Sequence, residues 1–337
     1  MGIEVVLVIA IAVALAFDLT NGFHDSANSI AALVATKAAR PGPALALATV
    51  GHVAGPLLFG TAVADTVGGV VALPGAIVLP AVGAALTSAI AWNLVTWRFG
   101  LPSSSSHALV GGLVGACVAG AGVAGVQWGG FHDWRPVGVL GVLVALAVSP
   151  ALGALVGWAG ATAAWRALRR APRRAETHVR RAQWGTAFAL AFSHGANDAQ
   201  KSMGVITLLL VAGGQLSTFD VPIWVRLAAA GCLTIGTAFG GWRIVRTIGR
   251  GVYRMKPLDG LVSQGGSAAV ILAAAAVGAP ISTTHVVAAS VVGVGAARRV
   301  HHVHWAVVRE MASAWLLTLP ITALLAAAAF PIWRWST

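Results

Sequence analysis

Long apolar runs constrain this chain more than any other feature. A helix needs about 20 apolar residues to cross the ~30 Å hydrocarbon core of a bilayer. Ten such runs, one of them short, lie near residues 3–20, 44–64, 76–97, 107–127, 137–165, 183–212, 222–242, 261–279, 286–297 and 305–332. Only 9% of the residues are charged, against about a quarter in ordinary soluble domains. The pattern predicts an all-α, polytopic membrane protein in a lipid bilayer and excludes a soluble globular enzyme.

Basic residues are concentrated in short segments between the apolar runs. The largest such segment, with seven arginines, lies within residues 166–182 and separates two halves, residues 1–165 and 183–337, of five runs each. With the N-terminus outside, every basic cluster falls on the cytoplasmic side, as the positive-inside rule requires. We therefore predict a cytoplasmic linker and two extracytoplasmic termini. The net charge of +12 belongs to these loops and indicates no nucleic-acid partner.

Two polar motifs interrupt the apolar pattern of the first half, and each recurs in the second half. The motif at residues 17–28 is echoed at 192–201, and the motif at 102–107 is echoed at 280–285. The copies follow in the same order at nearly equal separation, which indicates a duplication. An odd number of crossings per half makes the second copy inverted relative to the first.

Inverted repeats are common in secondary transporters, whose binding sites lie near the bilayer midplane beside helices broken at Gly or Pro. On this pattern we expect helix interruptions at Gly22, Gly195, Pro102 and Pro280. Cys117 and Cys232 lie inside apolar runs, so they predict neither a disulfide framework nor a metal site. No cofactor is expected.

In both copies of the second motif, a proline is followed by three or four hydroxyl residues and a histidine. The half-helix after such a break begins with free backbone N–H groups, which together with the hydroxyls suit a tetrahedral oxyanion. Alternatively, the hydroxyls bond to carbonyls of their own helix, as lone Ser and Thr often do. The duplication favours the anion site.

Asp25 and Asp198 lie deep within the two halves. An ionised carboxylate there costs at least ~2.5 kcal/mol on insertion scales, so each should be protonated or paired with a cation. Both are candidates for binding a coupling ion, and Asn28 lies on the same helical face as Asp25. The corresponding position after Asp198 is Lys201. Its ammonium could neutralise Asp198 or hold a substrate anion, and it favours H⁺ over Na⁺ as the coupling ion.

Four histidines accompany these motifs. They are either hydrogen-bonded structural residues or members of a proton relay: His24, His107, His194 and His285.

The motifs resemble those of the inorganic phosphate transporter (PiT) family. Residues 21–28 and 195–198 look like the two copies of its Gly-Ala-Asn-Asp signature, and residues 102–107 and 280–285 resemble its hydroxyl-rich hairpins. The resemblance implies an inverted-repeat, dimeric transporter of the plasma (inner) membrane with broken or re-entrant hairpins. Such a protein imports phosphate with H⁺ or Na⁺. Two departures, Phe-His-Asp in the first copy and Asp-Ala-Gln-Lys in the second, are similar to the bacterial, proton-coupled, low-affinity branch, whose substrate includes metal–phosphate complexes.

Carried over position by position, the resemblance assigns a phosphate site and a coupling-ion site. The phosphate residues are Ser104, Ser105, Ser106, Ser282, Thr283, Thr284, Asn197 and Lys201. The coupling-ion residues are Asp25, Asn28 and Asp198.

Three other functions compete with phosphate symport. A sulfate permease of the same family is the nearest, although a carboxylate that accepts the phosphate hydroxyl favours phosphate. An intramembrane hydrolase using Ser105 or Ser106 with a histidine is disfavoured, because catalysis does not require both groups to be duplicated. A passive channel would need a continuous polar pore, whereas polarity here is confined to two motifs per half.

Overall fold

The computed structural model of the chain describes residues 2–69, 75–132, 135–172 and 174–336, and most of them are helical. The helices of the first half are α1 (Ile3–Ala35), α2 (Pro41–Leu58), α3 (Ala62–Gly68), α4 (Gly75–Phe99), α5 (Ser105–Ala121) and α6 (Gly138–Ala167). Those of the second half are α7 (Ala175–Ala212), α8 (Ile223–Phe239), α9 (Trp242–Arg246), α10 (Pro257–Ala276), α11 (Thr283–Arg298) and α12 (Trp305–Ser336). The all-α prediction is confirmed.

Short irregular elements join these helices. A π-helical turn, Thr247–Gly251, continues α9, and 3₁₀ turns lie at Val123–Gly125 and Val300–His302. Within the described ranges, β-structure is limited to an antiparallel pair of two-residue strands, β1 (Phe131–His132) and β2 (Arg135–Pro136).

The two halves repeat one order of elements: a long helix, a bent pair, two helices joined by a proline-containing break, and a final helix. The bent pairs are α2 with α3, at 75°, and α8 with α9 and its π-helical turn, at 63°. These bends fit the broken helices expected of an inverted repeat.

Fewer segments are long and apolar enough to cross a membrane than the ten that the sequence predicts. In the described part of the chain, five helices qualify, or up to seven if each bent pair is one span. Helices α5 and α11 have only 17 and 16 residues, because each begins at a proline-containing break. The polar motif in α7 interrupts its apolar run.

The expected interruptions at Gly22 and Gly195 are wrong, since α1 and α7 run through both positions as continuous helices. Each glycine instead permits a close helix contact. A Cβ on Gly22 would lie 2.2 Å from the Leu233 carbonyl oxygen of α8, and one on Gly195 would lie 2.8 Å from the His52 carbonyl oxygen of α2. Each long helix thus packs backbone to backbone against the first helix of the other half's bent pair.

Two apolar clusters enclose the polar motifs of α1 and α7. One cluster contains the α1 side chains up to Phe17 and the α7 side chains from Ala199 onward. The other contains α1 from Ala27 onward and α7 up to Ala191. The polar segments therefore form a thin layer between two apolar regions, which fixes their depth in the fold.

Replacing Gly22 with alanine should destabilise the protein, because the added methyl group cannot avoid the Leu233 carbonyl. Overpacking of this kind costs about 1–3 kcal/mol. Thermal unfolding in detergent should show a lowered Tm for Gly22→Ala. Gly231→Ala on α8, where an added Cβ meets nothing within 4 Å, is the matched control and should unfold at or above the wild-type Tm, because alanine favours a helix over glycine. Equal Tm values for both variants would contradict the close-contact explanation.

Candidate functional site

Two equivalent breaks begin the helices α5 and α11. Residues 101–104 and 279–282 are non-helical, as the positions of Pro102 and Pro280 predict. Ser104 Oγ accepts a hydrogen bond from the His107 amide at 3.2 Å, and Ser282 Oγ accepts one from the His285 amide at 3.2 Å. Both serines are therefore N-caps, which satisfy amides that a helix start leaves free. The next two hydroxyls of each motif remain for other contacts.

The carboxylate of Asp25, on α1, joins the two breaks. Its side chain is 2% exposed. Ser105 donates to Asp25 Oδ2 at 3.3 Å, and Thr284 donates to Asp25 Oδ1 at 3.0 Å. One carboxylate thus accepts hydroxyl hydrogen bonds from both halves of the protein.

The carboxylate of Asp198, on α7, has a different set of partners. Thr283 donates to Asp198 Oδ2 at 3.0 Å, and Lys201 Nζ donates to Asp198 Oδ1. His194 Nε2 lies 2.6 Å from Asp198 Oδ2. All these side chains are buried, so the Lys201 ammonium compensates a carboxylate that water does not reach.

Each long helix also binds the last hydroxyl of the other half's motif. Asn28 Nδ2 donates to Thr284 Oγ1 at 2.9 Å, and Lys201 Nζ donates to Ser106 Oγ at 2.6 Å. Asn28 and Lys201 are equivalent, since each lies three residues after its aspartate, and Ser106 and Thr284 are equivalent in the hydroxyl motifs. We call these two contacts the crossed clamp. Its symmetry is what a folded inverted repeat should produce.

Asn197 lies beside the second break, where its Nδ2 donates to the Ala279 carbonyl at 3.3 Å. Its Oδ1 and the Oδ1 of Asn28 are buried without a hydrogen-bond partner. These two oxygens are acceptors that a bound ion or a protonated ligand can use.

The four histidines separate into two groups. His24 and His194 contact the carboxylates: His24 Nδ1 lies 2.7 Å from Asp25 Oδ1, and His194 Nε2 lies 4.0 Å from Asp25 Oδ2 in addition to its contact with Asp198. His107 and His285 instead stack on each other, with ring centroids 4.6 Å apart, and His285 stacks on Trp315. Only the first pair is placed to exchange protons with the carboxylates.

Sequence reasoning missed several polar residues of this layer. The Nε2 atom of His52, on α2, lies 2.8 Å from His194 Nδ1, and the Oγ1 atom of Thr96, on α4, lies 3.0 Å from His24 Nε2. Ser202 donates to Asp18 Oδ1 at 2.5 Å. His52 and Thr96 are single polar residues within apolar runs and give no local signal, whereas Asp18 stands in the motif itself.

The charges of the layer suit an anion only together with a cation. Atoms of Asp25, His194 and Asp198 lie within 4.8 Å of one another, so these side chains could hold a cation between them. With neutral histidines, and counted without Asp18, the carboxylates of Asp25 and Asp198 and the Lys201 ammonium leave a net negative charge that repels an anion. A single added positive charge neutralises these three groups, and the hydroxyls and the ammonium can then donate to an oxyanion.

Sequence comparison places the chain among known proteins. The sequence model of the "Phosphate transporter family" matches residues 21–172 and again residues 161–326. A protein of Rhizobium meliloti (strain 1021), described as "Probable low-affinity inorganic phosphate transporter", is 42% identical over 95% of this chain and 94% of its own length. A Bacillus subtilis (strain 168) protein with the same description is 40% identical over 98% of both chains.

A solved structure described as "The sodium-dependent phosphate transporter" has the same fold. Its TM-score is 0.86 at 24% identity, and the match covers 97% of this chain and 98% of that one.

Replacements of Asp198 and of Lys201 should have strongly non-additive effects on the free energy of unfolding, because the two residues form a buried ion pair. Removing one partner of a buried ion pair typically costs about 3–5 kcal/mol, because the other charge is left uncompensated. We expect such losses for Lys201→Met and for Asp198→Asn, measured by unfolding in detergent. The double variant should lose much less than the sum.

Glu176→Gln is the control for this cycle, because it removes only the exposed pair with Arg180. Such pairs contribute about 0–1 kcal/mol. Additive losses at Asp198 and Lys201 would contradict the pairing.

Proposed function

The chain belongs to the phosphate transporter family, and on that premise we propose that it imports inorganic phosphate in symport with a proton. The crossed clamp is the observation that carries this proposal. Its hydroxyls and its ammonium lie in one buried layer with the carboxylates of Asp25 and Asp198, to which Thr284 and Lys201 also donate. The relatives are transporters, and the chain is a transporter and not an enzyme. Ser105 and Ser106 are the serines that the hydrolase alternative would use as nucleophiles. Ser105 donates its hydrogen bond to Asp25, and Ser106 donates to the Ile281 carbonyl at 3.2 Å.

Phosphate is proposed to replace the hydrogen bonds that now join the two halves. The donors are the hydroxyls of the two breaks and the Lys201 ammonium, whose present partners are Asp198, Ser106 and the Ile281 carbonyl. The full proposed set is Ser104, Ser105, Ser106, Ser282, Thr283, Thr284, Asn197 and Lys201. Phosphate near neutral pH carries a hydroxyl that sulfate lacks, and a carboxylate can accept its hydrogen bond. This difference supports phosphate over sulfate.

Asp25 is the proposed binding site of the coupling proton, with Asn28 and Asp198 completing the coupling-ion site. Asp198 has the Lys201 ammonium as a counter-charge, whereas Asp25 has hydroxyls and imidazoles around it. Protonation of Asp25 would leave Asp198 and Lys201 as a neutral pair and would remove the repulsion between the Asp25 carboxylate and phosphate. The Lys201 ammonium would repel a bound Na⁺ in the same layer, so proton coupling is favoured.

Transport is proposed to follow alternating access between residues 1–165 and 183–337, joined by the linker 166–182. Every carboxylate and hydroxyl of the layer is buried, so phosphate reaches it only when the two halves separate. The distribution of basic loops supports placing both termini outside the cytoplasm, and the family resemblance supports a location in the plasma membrane. A homodimer is proposed on the family resemblance alone.

Radiolabelled phosphate uptake into proteoliposomes tests the function. A pH gradient without Na⁺ should drive uptake, and excess sulfate should not compete. Parallel assays with and without Mg²⁺ distinguish free phosphate from a metal–phosphate complex as the substrate. Strict dependence on Na⁺ would overturn proton coupling, and uptake of sulfate alone would overturn the substrate assignment.

Replacing Asp25 with asparagine should abolish uptake driven by the pH gradient, because the amide keeps the volume but cannot bind and release the coupling proton. The loss should be at least about a hundredfold, which is typical for a positioned proton-transfer group. Asp220→Asn is the control, since Asp220 bonds only to the exposed Thr218 hydroxyl among its described contacts. Wild-type uptake by Asp25→Asn would contradict the role of this carboxylate.

A further inference from the structure

One feature of the polar layer does not obey the inverted repeat. Alignment of Asp25 with Asp198 pairs His24 with Asn197, and alignment of the two motif prolines pairs Thr96 with Ala274. The first half therefore has an imidazole and a hydroxyl where the second half has an amide and a methyl group. A device built from His24 and Thr96 can exist in only one half.

His24 and Thr96 form a continuous chain of contacts with Asp25. His24 Nδ1 lies 2.7 Å from Asp25 Oδ1, and His24 Nε2 lies 3.0 Å from Thr96 Oγ1. Thr96 also donates to the Trp92 carbonyl at 2.9 Å. A hydroxyl can donate and accept at once, so Thr96 can accept a proton from the imidazole and release its own.

The chain ends at a surface cavity. Thr96, which is 1% exposed, borders a cavity of ≈ 510 Å³ between α4 and α12 that is lined by apolar side chains, such as Val95 and Leu317, and by the exposed Arg309, Glu310 and Ser313. The cavity lies where α4 ends and α12 begins, next to the segment with Arg298 and Arg299 that the positive-inside rule assigns to the cytoplasm. Water in this cavity can accept a proton from Thr96.

The other histidine branch has no comparable exit in the described part of the chain. His194 Nδ1 contacts His52 Nε2, and His52 contacts the hydroxyls of Thr237 and Ser29. His52, Thr237 and Ser29 are all 0% exposed, and, unlike Thr96, none of them lines this cavity. This branch ends in the interior, which suits a fixed hydrogen-bond network.

We propose that His24 and Thr96 conduct the coupling proton from Asp25 to the cytoplasmic cavity. In this step the O–H bond at Asp25 breaks and an N–H bond forms at His24 Nδ1. The N–H bond at His24 Nε2 breaks as a proton passes to Thr96 Oγ1, whose own hydrogen passes to water. One proton enters the chain and one leaves, so nothing is oxidised or reduced. The inference rests on the proposed proton symport.

Several charged groups face this route. His194 of α7 approaches Asp25 Oδ2 at 4.0 Å, and Asp198, which is bonded to Lys201, lies within 4.8 Å of Asp25. Arg309 and Glu310 of α12 line the cavity. Arg243 of α9 donates to the Arg98 carbonyl near the end of α4. Glu310 is the group placed to accept the released proton, and the arginines oppose its return.

Thr96→Val tests the route, because valine keeps the shape of threonine and removes the hydroxyl. A symporter that cannot release its proton cannot complete net uptake, but it can exchange phosphate with the proton still bound. We expect net uptake driven by a pH gradient to fall at least about tenfold, since positioned proton-transfer groups usually contribute more than that. Phosphate counterflow at equal pH should stay within about twofold of wild type. Thr96→Ser should restore net uptake.

The control is Thr162→Val on α6. Thr162 makes the same type of bond to a carbonyl four residues earlier, at 2.8 Å, and lies away from the polar layer. It should leave both assays unchanged. Wild-type net uptake by Thr96→Val, or an equal loss of net uptake and counterflow, would overturn the route even if the wild type is a proton symporter. Absence of uptake driven by the pH gradient in the wild type would instead overturn the proposed function.

Discussion

The carboxylates of Asp25 and Asp198 lie in an interior that water does not reach, and the polar layer is organised around their compensation. Asp198 has a lysine three residues away on the same helix, whereas Asp25 has hydroxyls from both halves and a histidine. An unpaired buried charge would be too costly to keep. The hydrogen bonds that satisfy the carboxylates also join the two halves. Binding of a phosphate and a proton in this layer, as we propose, would therefore change the contacts on which the relative position of the halves depends.

The inverted repeat explains much of this arrangement, and the positions that depart from the repeat make the two halves chemically different. Both halves supply an N-capping serine, a hydroxyl to a carboxylate and a donor to the opposite hydroxyl. Symmetry of this kind gives two similar states that face opposite sides of a membrane. Lys201 opposite Asn28 makes the charge of the two sites unequal. His24 and Thr96 likewise give only one half a contact chain to a surface cavity.

The sequence was sufficient for the fold class, the duplication and the two proline-containing breaks, because these depend on local composition and on residues with fixed backbone preferences. It was misleading at Gly22 and Gly195. Glycine marks both helix breaks and close helix contacts, and the contacting carbonyls of Leu233 and His52 are distant in the chain. Thr96 could not be predicted as a partner of His24, since their contact spans 72 residues of sequence. The residues around a single hydroxyl in an apolar run form no sequence motif that indicates its role.

We propose that phosphate binds in the layer formed by the crossed clamp and displaces hydrogen bonds between the halves. An experimental structure of the protein with phosphate bound tests this proposal. We expect phosphate oxygens within hydrogen-bond distance of Ser106 and Thr284, with Lys201 Nζ turned toward the anion. Phosphate bound only at the surface arginines, such as Arg298 and Arg299, with the contacts of Asn28 and Lys201 unchanged, would contradict it.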